Sequence, residues 1–524
     1  MDAGVEGEDA GAEGGDAEVE GGDADAPLCE GSDRPPPCPP APRPAFEARS
    51  IVAAEVPSVF SLAGSEAGEG EIVAASVDFG DGSALVVVED VAAEIEHTFA
   101  AAGEVLVTVS MTNSAGARGV LEAPLRVEEP ARDILIVYNA ALPQSEALAL
   151  AYASPRTGRA VAVDDGLLLG LELPEGPAVD RDTYRALIRA PILERLDAMG
   201  LRRQVRTILL IKGVPHQIRG EREFETSSTF SSVDSELCLL TSDGDYPLEG
   251  WLWNGPRYQD FSGGGLYLAE DRGFAHQRFT ASSRQGRLFN IDYLVGRLDG
   301  YTFEDARAIL DRALRADASA EGWVILDSSP ERRGLDTMVD PVFPEVEGDA
   351  QESAEEVLLR SGIKVFADAG PERLFAANPA VVFPEGAAER VIAYAGWGVN
   401  HVSGAWPSGP RYILDDLGLG WLPGAAFISY ESFNGTALDG AALEADVGLR
   451  RGQGQIADFL RAGGTVAIGN AWEPFSVGVG DERHIFKRYL VDGDPWIEAA
   501  YKGLRMLSWQ QIVIGDPLCR ARRP

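Results

Sequence analysis

From Asp133 onward the chain alternates between short, continuously apolar runs and segments whose apolar residues recur at helical spacing. The apolar runs include DILIVYNA (Asp133–Ala140), AVAVD (Ala160–Asp164), VRTILLIKG (Val205–Gly213), GWVILD (Gly322–Asp327), ERVIAYAGWG (Glu389–Gly398), GAAFISYES (Gly424–Ser432) and GTVAIGNA (Gly464–Ala471). Helical patterns cover Ser145–Ala153, Asp182–Met199, Thr302–Arg315, Glu352–Ser361, Gln453–Ala462 and Asp494–Lys502. A strand that is apolar throughout needs cover on both faces, and parallel strands need long crossovers, usually helical. The alternation therefore predicts a large α/β domain over 131–524 with a mainly parallel sheet, built as one unit or as two subdomains.

The front of the chain has a different character. Residues 1–27 are Asp, Glu, Gly and Ala with almost no large apolar side chain, so ordering entropy outweighs any burial and disorder is expected. RPPPCPPAPRP (Arg34–Pro44) favours extended polyproline II. Residues 1–45 thus read as a disordered acidic and Pro-rich stalk. The formal charge of −38 is concentrated here: −10 falls on 1–45, −12 on 46–129 and −16 on the rest. Such a balance repels phosphate and argues against nucleic acid and anionic lipid as partners. No run of 18 apolar residues is present, so no transmembrane helix is expected, and the N-terminus lacks the basic and apolar regions of a signal peptide. A stalk of this kind suggests that a signal or lipid anchor was removed upstream. Cys29 and Cys38 are close enough in sequence to pair, whereas Cys238 and Cys519 lie in apolar contexts expected to bury them as inert thiols.

Residues 46–130 carry short β-type runs separated by turn signals, close to the count of a β-sandwich. DFGDGS (Asp78–Ser83), HTF (His97–Phe99) and AGEVLVTVSMTNSAG (Ala102–Gly116) resemble a PKD domain, with Val77 where that family usually has Trp. The resemblance implies an immunoglobulin-like extracellular spacer or adhesion module. Its turn carboxylates Asp78 and Asp81 are candidates for Ca²⁺ and, alternatively, for capping the turn. No other metal or cofactor is implied. Five His without His-x-x-x-His or Cys-x-x-Cys spacing argue against zinc.

Further on, IVYNA (Ile136–Ala140), IKGVP (Ile211–Pro215), SVDSEL (Ser232–Leu237), GRLDG (Gly296–Gly300), AGWGVN (Ala395–Asn400), GNAWEPF (Gly469–Phe475) and LSWQQIVIGDPL (Leu507–Leu518) occur in order. Together they resemble an uncharacterised bacterial family found alongside exosortase-type protein-sorting systems. The succession of a strand, a Gly-X-Gly loop, a second strand and a closing IGDPL also resembles gingipain-like cysteine peptidases of the caspase-haemoglobinase fold. That resemblance implies a catalytic His in the Gly-X-Gly loop and a Cys after the second strand. Here Trp397 and the run Ser429–Ser432 occupy those slots, so the thiolate–imidazole pair is absent.

Chemistry in open α/β sheets sits beyond the carboxyl ends of strands. The polar residues there give the candidate site. Asn400, His401, Ser429, Ser432 and Glu473 are the catalytic candidates; Lys212, Asp234, Glu236, Arg297, Asp299, Trp397 and Asp516 are the binding candidates. Strand alternation in SVDSEL would put Asp234 and Glu236 on one face. Arg297 and Asp299 are expected either to pair and fix a turn at Gly300 or to hold a substrate carboxylate. Lys212 with His216 suggests an anion site or a structural strand end. Trp251, Trp253, Tyr258 and Phe261 suggest a lid over a saccharide or peptide groove, or a packed loop. The resulting expectation is an extracellular or envelope protein that binds a protein or glycan partner. The alternative is a hydrolase using carboxylate or Ser chemistry at one strand-end cleft.

Overall fold

The computed structural model describes residues 39–48, 52, 54, 57–127, 133–153, 167–202, 204–220, 230–240, 252–253, 279–282, 288–316, 322–328, 354–400, 408–441, 450–474, 478–504 and 506–521. Residues 1–38 of the expected stalk, with the Cys29–Cys38 pair, lie outside these residues, as do the AVAVD run, His401 and the aromatic set apart from the backbone of Trp253. Residues 39–45 instead pack into the first unit, Arg43 exchanging backbone hydrogen bonds with Glu66 and Pro40 O accepting from Asn113 Nδ2, which shortens the stalk read from sequence. The chain divides into two compact units, Met1–Glu129 and Pro130–Pro524. Among the described residues no helix is long and apolar enough to cross a membrane.

The first unit contains seven strands in two sheets. One joins β1 (Glu47–Ala48), β2 (Pro57–Ser61) and β5 (Glu94–Thr98). The other runs β4 (Val86–Val88), β3 (Ile72–Asp78), β6 (Gly103–Asn113) and β7 (Arg118–Val127), all antiparallel. The alternation of β6 places Val107, Val109 and Met111 inside with Val77. Phe60, Phe79 and Phe99 are fully buried and meet at centroid distances of 5.0–6.2 Å, so aromatic packing fills this small core.

The second unit is organised by one sheet of ten strands. In chain order they are β8 (Ile134–Asn139), β9 (Leu168–Leu171), β10 (Thr207–Ile211), β11 (Leu294–Leu298), β12 (Trp323–Asp327), β13 (Lys364–Asp368), β14 (Val391–Gly396), β15 (Trp421–Ser429), β16 (Val466–Asn470) and β17 (Gln511–Ile514). Their spatial order is β13-β12-β14-β15-β16-β17-β11-β10-β8-β9. Every residue of β10, β11, β14 and β16 is buried, so both faces are covered. Packed on the sheet are α1 (Pro143–Ala153), α3 (Phe303–Leu314), α4 (Ile456–Arg461) and α5 (Trp496–Gly503). Thr302 starts α3 with a capping box, its hydroxyl accepting from Asp305 N while the Asp305 carboxylate accepts from Thr302 N.

All neighbouring strands are parallel except β16 and β17, which pair antiparallel with Asn470 opposite Gln511 and Ala467 opposite Ile514. The sheet is therefore two parallel blocks of opposite direction. The carboxyl ends of β8, β10, β11 and β17 lie on one edge. Those of β12 to β16 lie on the other. The strand-end residues expected at one cleft are thus divided between two edges. SVDSEL also departs from expectation: Val233–Leu237 is a short helix, α2, whose N-cap Ser232 accepts a hydrogen bond from Ser235 N. Residues two apart on a helix point in different directions, so Asp234 and Glu236 do not share a face.

Candidate functional site

On the edge formed by β12 to β16, strands β14 and β15 run side by side with Gly396 opposite Ser429. Tyr430 N donates to Gly396 O at 2.9 Å, which brings the loops after the two strands together. The facing residues are Trp397 and Tyr430, with ring centroids 4.8 Å apart and exposures of 3% and 5%. The rings are tilted by 36° to each other, neither offers an imidazole or a thiolate, and their contact fills the slot between the strand ends.

The glycines of this loop have a packing cause. A Cβ on Gly396 would lie 2.4 Å from the Tyr394 hydroxyl. Gly398 has φ +54°, and a Cβ there would lie 2.2 Å from Glu431 Oε2. Glu431 is fully buried and accepts from Gly454 N (2.8 Å), the Tyr412 hydroxyl (2.8 Å) and Val399 N (3.2 Å). Burial pushes its carboxyl up against the pull of these donors. Glu431 was not among the candidates, although its place two residues after β15 was visible in sequence. Asn400 Nδ2 donates to Tyr430 O at 2.7 Å, and Ser429 Oγ accepts from Asn434 Nδ2 at 2.8 Å. Ser429 is 1% exposed. Beyond it the half-buried Ser432 donates from Oγ to Glu473 Oε1 at 2.6 Å. Of the five catalytic candidates, this pair alone is joined by a hydrogen bond among the described residues.

Three of the binding candidates, Lys212, Asp234 and Asp299, gather around a fourth, Arg297 on β11, which is fully buried. Its guanidinium donates to Asp234 Oδ2 from Nη2 at 2.7 Å, to Asp234 Oδ1 from Nε at 3.0 Å and to Asp299 Oδ2 from Nη1 at 2.9 Å. Asp299 Oδ1 accepts from Gly300 N at 2.8 Å, so the ion pair also fixes the turn. Burial alone would raise Asp299, but the Lys212 ammonium and Arg297 guanidinium outweigh it and hold the carboxyl below its usual range. Glu236 points elsewhere, to Arg181 Nη1 at 2.9 Å and the Ser508 hydroxyl at 3.1 Å. Asp516 accepts from the Tyr152 hydroxyl at 2.7 Å. These groups are knit into the interior, where charges persist because they are paired.

Beside this cluster, at the carboxyl ends of β10 and β11, opens a cleft of about 460 Å³. Its lining includes Glu175, Lys212, His216, Asp299, Glu304 and Asp439. Lys212 donates to Gly300 O (2.7 Å), Leu438 O (2.8 Å) and Asp299 Oδ1 (3.3 Å), which uses the three protons of its ammonium. His216 is 3% exposed, and burial, with the nearby Arg297 charge, pushes it down to about 3, so it is neutral. His216 is neutral and the Lys212 ammonium is held by its three acceptors, which favours the structural strand end over the anion site. The other charged residues of the lining are acidic. Glu175, Glu304 and Asp439 were missed because they come from two separate loops and a helix start. The capping pattern around Thr302 was the one local signal for Glu304, in the first turn of α3.

In the first unit, Asp78 Oδ1 accepts from Gly80 N at 2.9 Å and Asp81 Oδ1 from Ser83 N at 3.0 Å. His97 Nε2 lies 2.8 Å from Asp81 Oδ2, and its ring stacks on Phe79 at 3.9 Å. Burial works to raise Asp81, but hydrogen bonds from Ser83 and His97 hold it down at about 2. Both carboxylates thus cap the turn. Cys238 and Cys519 are free and buried; the Cys238 thiol lies 2.8 Å from the Tyr501 hydroxyl, and burial pushes it up.

No curated protein matches the chain. Among solved structures, the PKD1 domain of Vibrio anguillarum Epp is 23% identical, covering 17% of this chain and 96% of that one, with a TM-score of 0.15. The PKD1 domain from Vibrio cholerae metalloprotease PrtV is also 23% identical, covering 17% of this chain and 98% of that one, with a TM-score of 0.15. A structure described only as a protease covers 74% of this chain and 78% of its own at 11% identity, with a TM-score of 0.35, too low to assign a fold or an activity. The PKD domain family matches residues 39–127, the segment that forms the two-sheet first unit. Residues 39–127 are a PKD domain, a module typical of extracellular proteins.

Proposed function

We propose that this is an extracellular or envelope protein whose α/β unit has caspase-haemoglobinase-like topology without cysteine-peptidase activity. It binds a protein or glycan partner in a surface or protein-sorting context. The PKD domain supports the location. The buried, tilted contact of Trp397 with Tyr430, in the slots where the gingipain-like resemblance puts His and Cys, supports the loss of peptidase chemistry.

The observation that carries binding is the cleft beside β10 and β11. Its volume lies within the range of ligand sites, and it sits where open α/β sheets bind ligands. Glu175, Asp299, Glu304 and Asp439 line it, and Lys212 is already satisfied. The cleft therefore favours a cationic group, a Lys or Arg side chain of a protein or an amino sugar of a glycan. The test is calorimetry of the full chain against a Lys/Arg-rich peptide, a chitosan oligosaccharide and their N-acetylated forms. Binding of one cationic ligand, weakened at least about tenfold by Glu304→Gln with Asp439→Asn, is expected. Equal affinity for the neutral forms, or no binding of either class, would sink the reading. So would hydrolysis of a peptide substrate that thiol alkylation abolishes.

A further inference from the structure

We propose that Ser432 and Glu473 form a serine–carboxylate pair that hydrolyses acyl esters at the carboxyl ends of β15 and β16. Ser432 follows β15 and Glu473 follows the adjacent parallel strand β16, so two core strands place the pair at their carboxyl ends. The hydroxyl already donates to the carboxylate at 2.6 Å, within the reach required of a nucleophile and its base. Both residues are half-buried and accessible, unlike Ser429.

Backbone strain marks the same spot. Among the described residues only Phe433, Arg451 and Ser508 combine a side chain with left-handed φ, at +57°, +51° and +49°. Two of the three touch: the Arg451 guanidinium lies 5.2 Å over the Phe433 ring, directly after Ser432. Phe433 N donates to Trp472 O at 3.0 Å, and Trp472 immediately precedes Glu473. The strained turn and its bond thus lock the two loops that carry the pair. Strain of this kind persists only where the surroundings enforce it.

The pair is distinguishable from an ordinary turn clasp. Ser408 also donates to a carboxylate, Asp416 Oδ2, at 2.6 Å, but Ser408 N bonds the same oxygen at 3.0 Å, so that contact caps a local turn. Glu473, by contrast, follows a different strand from Ser432, so this bond joins two loops rather than closing one turn.

The chemistry balances. Ser432 Oγ attacks the acyl carbon, forming an Oγ–C bond, and its proton passes to Glu473 Oε1. The bond from the acyl carbon to the leaving alkoxide breaks, and the alkoxide takes that proton as an alcohol. Water then attacks the acyl-serine, giving its proton to Glu473; the carboxylic acid departs as Ser432 recovers its own. A carboxylate is a weaker base than an imidazole, which selects substrates with an alcohol rather than an amine as leaving group.

The test uses the full chain with a fluorophosphonate probe, intact mass and peptide mapping, alongside hydrolysis of p-nitrophenyl acyl esters. Each variant is first matched to the wild type by thermal melting. Expected is a single label on Ser432, none on Ser408, and loss of labelling and ester hydrolysis in Ser432→Ala. Glu473→Gln is expected to slow both by about 10²-fold or more. Absence of a label, a label on Ser408 as well, or full reactivity in Glu473→Gln overturns the proposal. The cationic-ligand titration reports on the other edge, so either reading can fail without the other.

Discussion

Replacing Asp327 by Asn is expected to stabilise the second unit, increasingly so as the pH rises. Asp327 is the last residue of β12 and is fully buried. Its Oδ2 accepts from the Tyr394 hydroxyl at 2.8 Å, and Asp368 is its register partner on β13. Burial is the main force on it and raises it from 3.8 to about 7, the Asp368 charge adding to the rise while Tyr394 and Arg373 oppose it. An acid raised in the folded state binds its proton where the unfolded chain has already released it. Stability from this group is therefore complete below the unfolded value of 3.8, falls as the pH rises toward 7, and levels off above that. The shift corresponds to a ceiling of about 4 kcal/mol at high pH.

Asparagine keeps an oxygen for Tyr394 and removes the charge. The gain over wild type should grow by about 2 kcal/mol between pH 5.5 and pH 8.5, the part of the shift that lies above pH 5.5. Urea denaturation of both proteins at the two pH values measures this. Glu431 and Asp234 are also raised by burial, but they are present in both proteins and cancel in the difference. A gain that does not change between the two pH values would refute the assignment, as would a variant less stable than wild type at pH 8.5.

Two further outcomes test the packing. Arg297→Met strands the Asp234 carboxylate in the interior and is expected to cost about 3–5 kcal/mol in urea denaturation; adding Asp234→Asn should recover part of it, whereas additive losses would deny the coupling. Gly398→Ala is expected to cost roughly 2–4 kcal/mol, from left-handed φ plus collision with Glu431, against about 1 kcal/mol for Gly452→Ala, whose φ is +72° with open space around it. Equal losses at the two glycines would show that Glu431 does not fix the loop.

What sequence revealed depended on how local the signal was. DFGDGS folds into a turn that Asp78 and Asp81 cap within two residues, so its structure is written in adjacent letters. The apolar runs of β8, β10, β12, β14, β15 and β16 each declare a strand with a buried core, and the helical periods between them declare crossovers, whereas β13, with no fully buried residue, gave no such signal. The direction of a strand is not in its composition, however. β16 and β17 read alike, yet their antiparallel pairing divides the carboxyl ends between two edges. SVDSEL fits both periods, because Val233 and Leu237 are four apart; only the Ser232 cap chooses the helix. Arg297 with Asp234, separated by 63 residues, was beyond any local pattern.

The Gly-Trp-Gly loop shows why a familiar string is weak evidence for chemistry. Gly396 accommodates the Tyr394 hydroxyl and Gly398 accommodates Glu431, so both glycines would be required whatever residue stood between them. The residue between them packs at a tilt against Tyr430, and that contact buries the slot. The loop is thus accounted for by packing alone. A reactive group must be sought where strain and access coincide, and on this edge they coincide two residues further along, where the left-handed turn at Phe433 follows an accessible hydroxyl already aimed at a carboxylate.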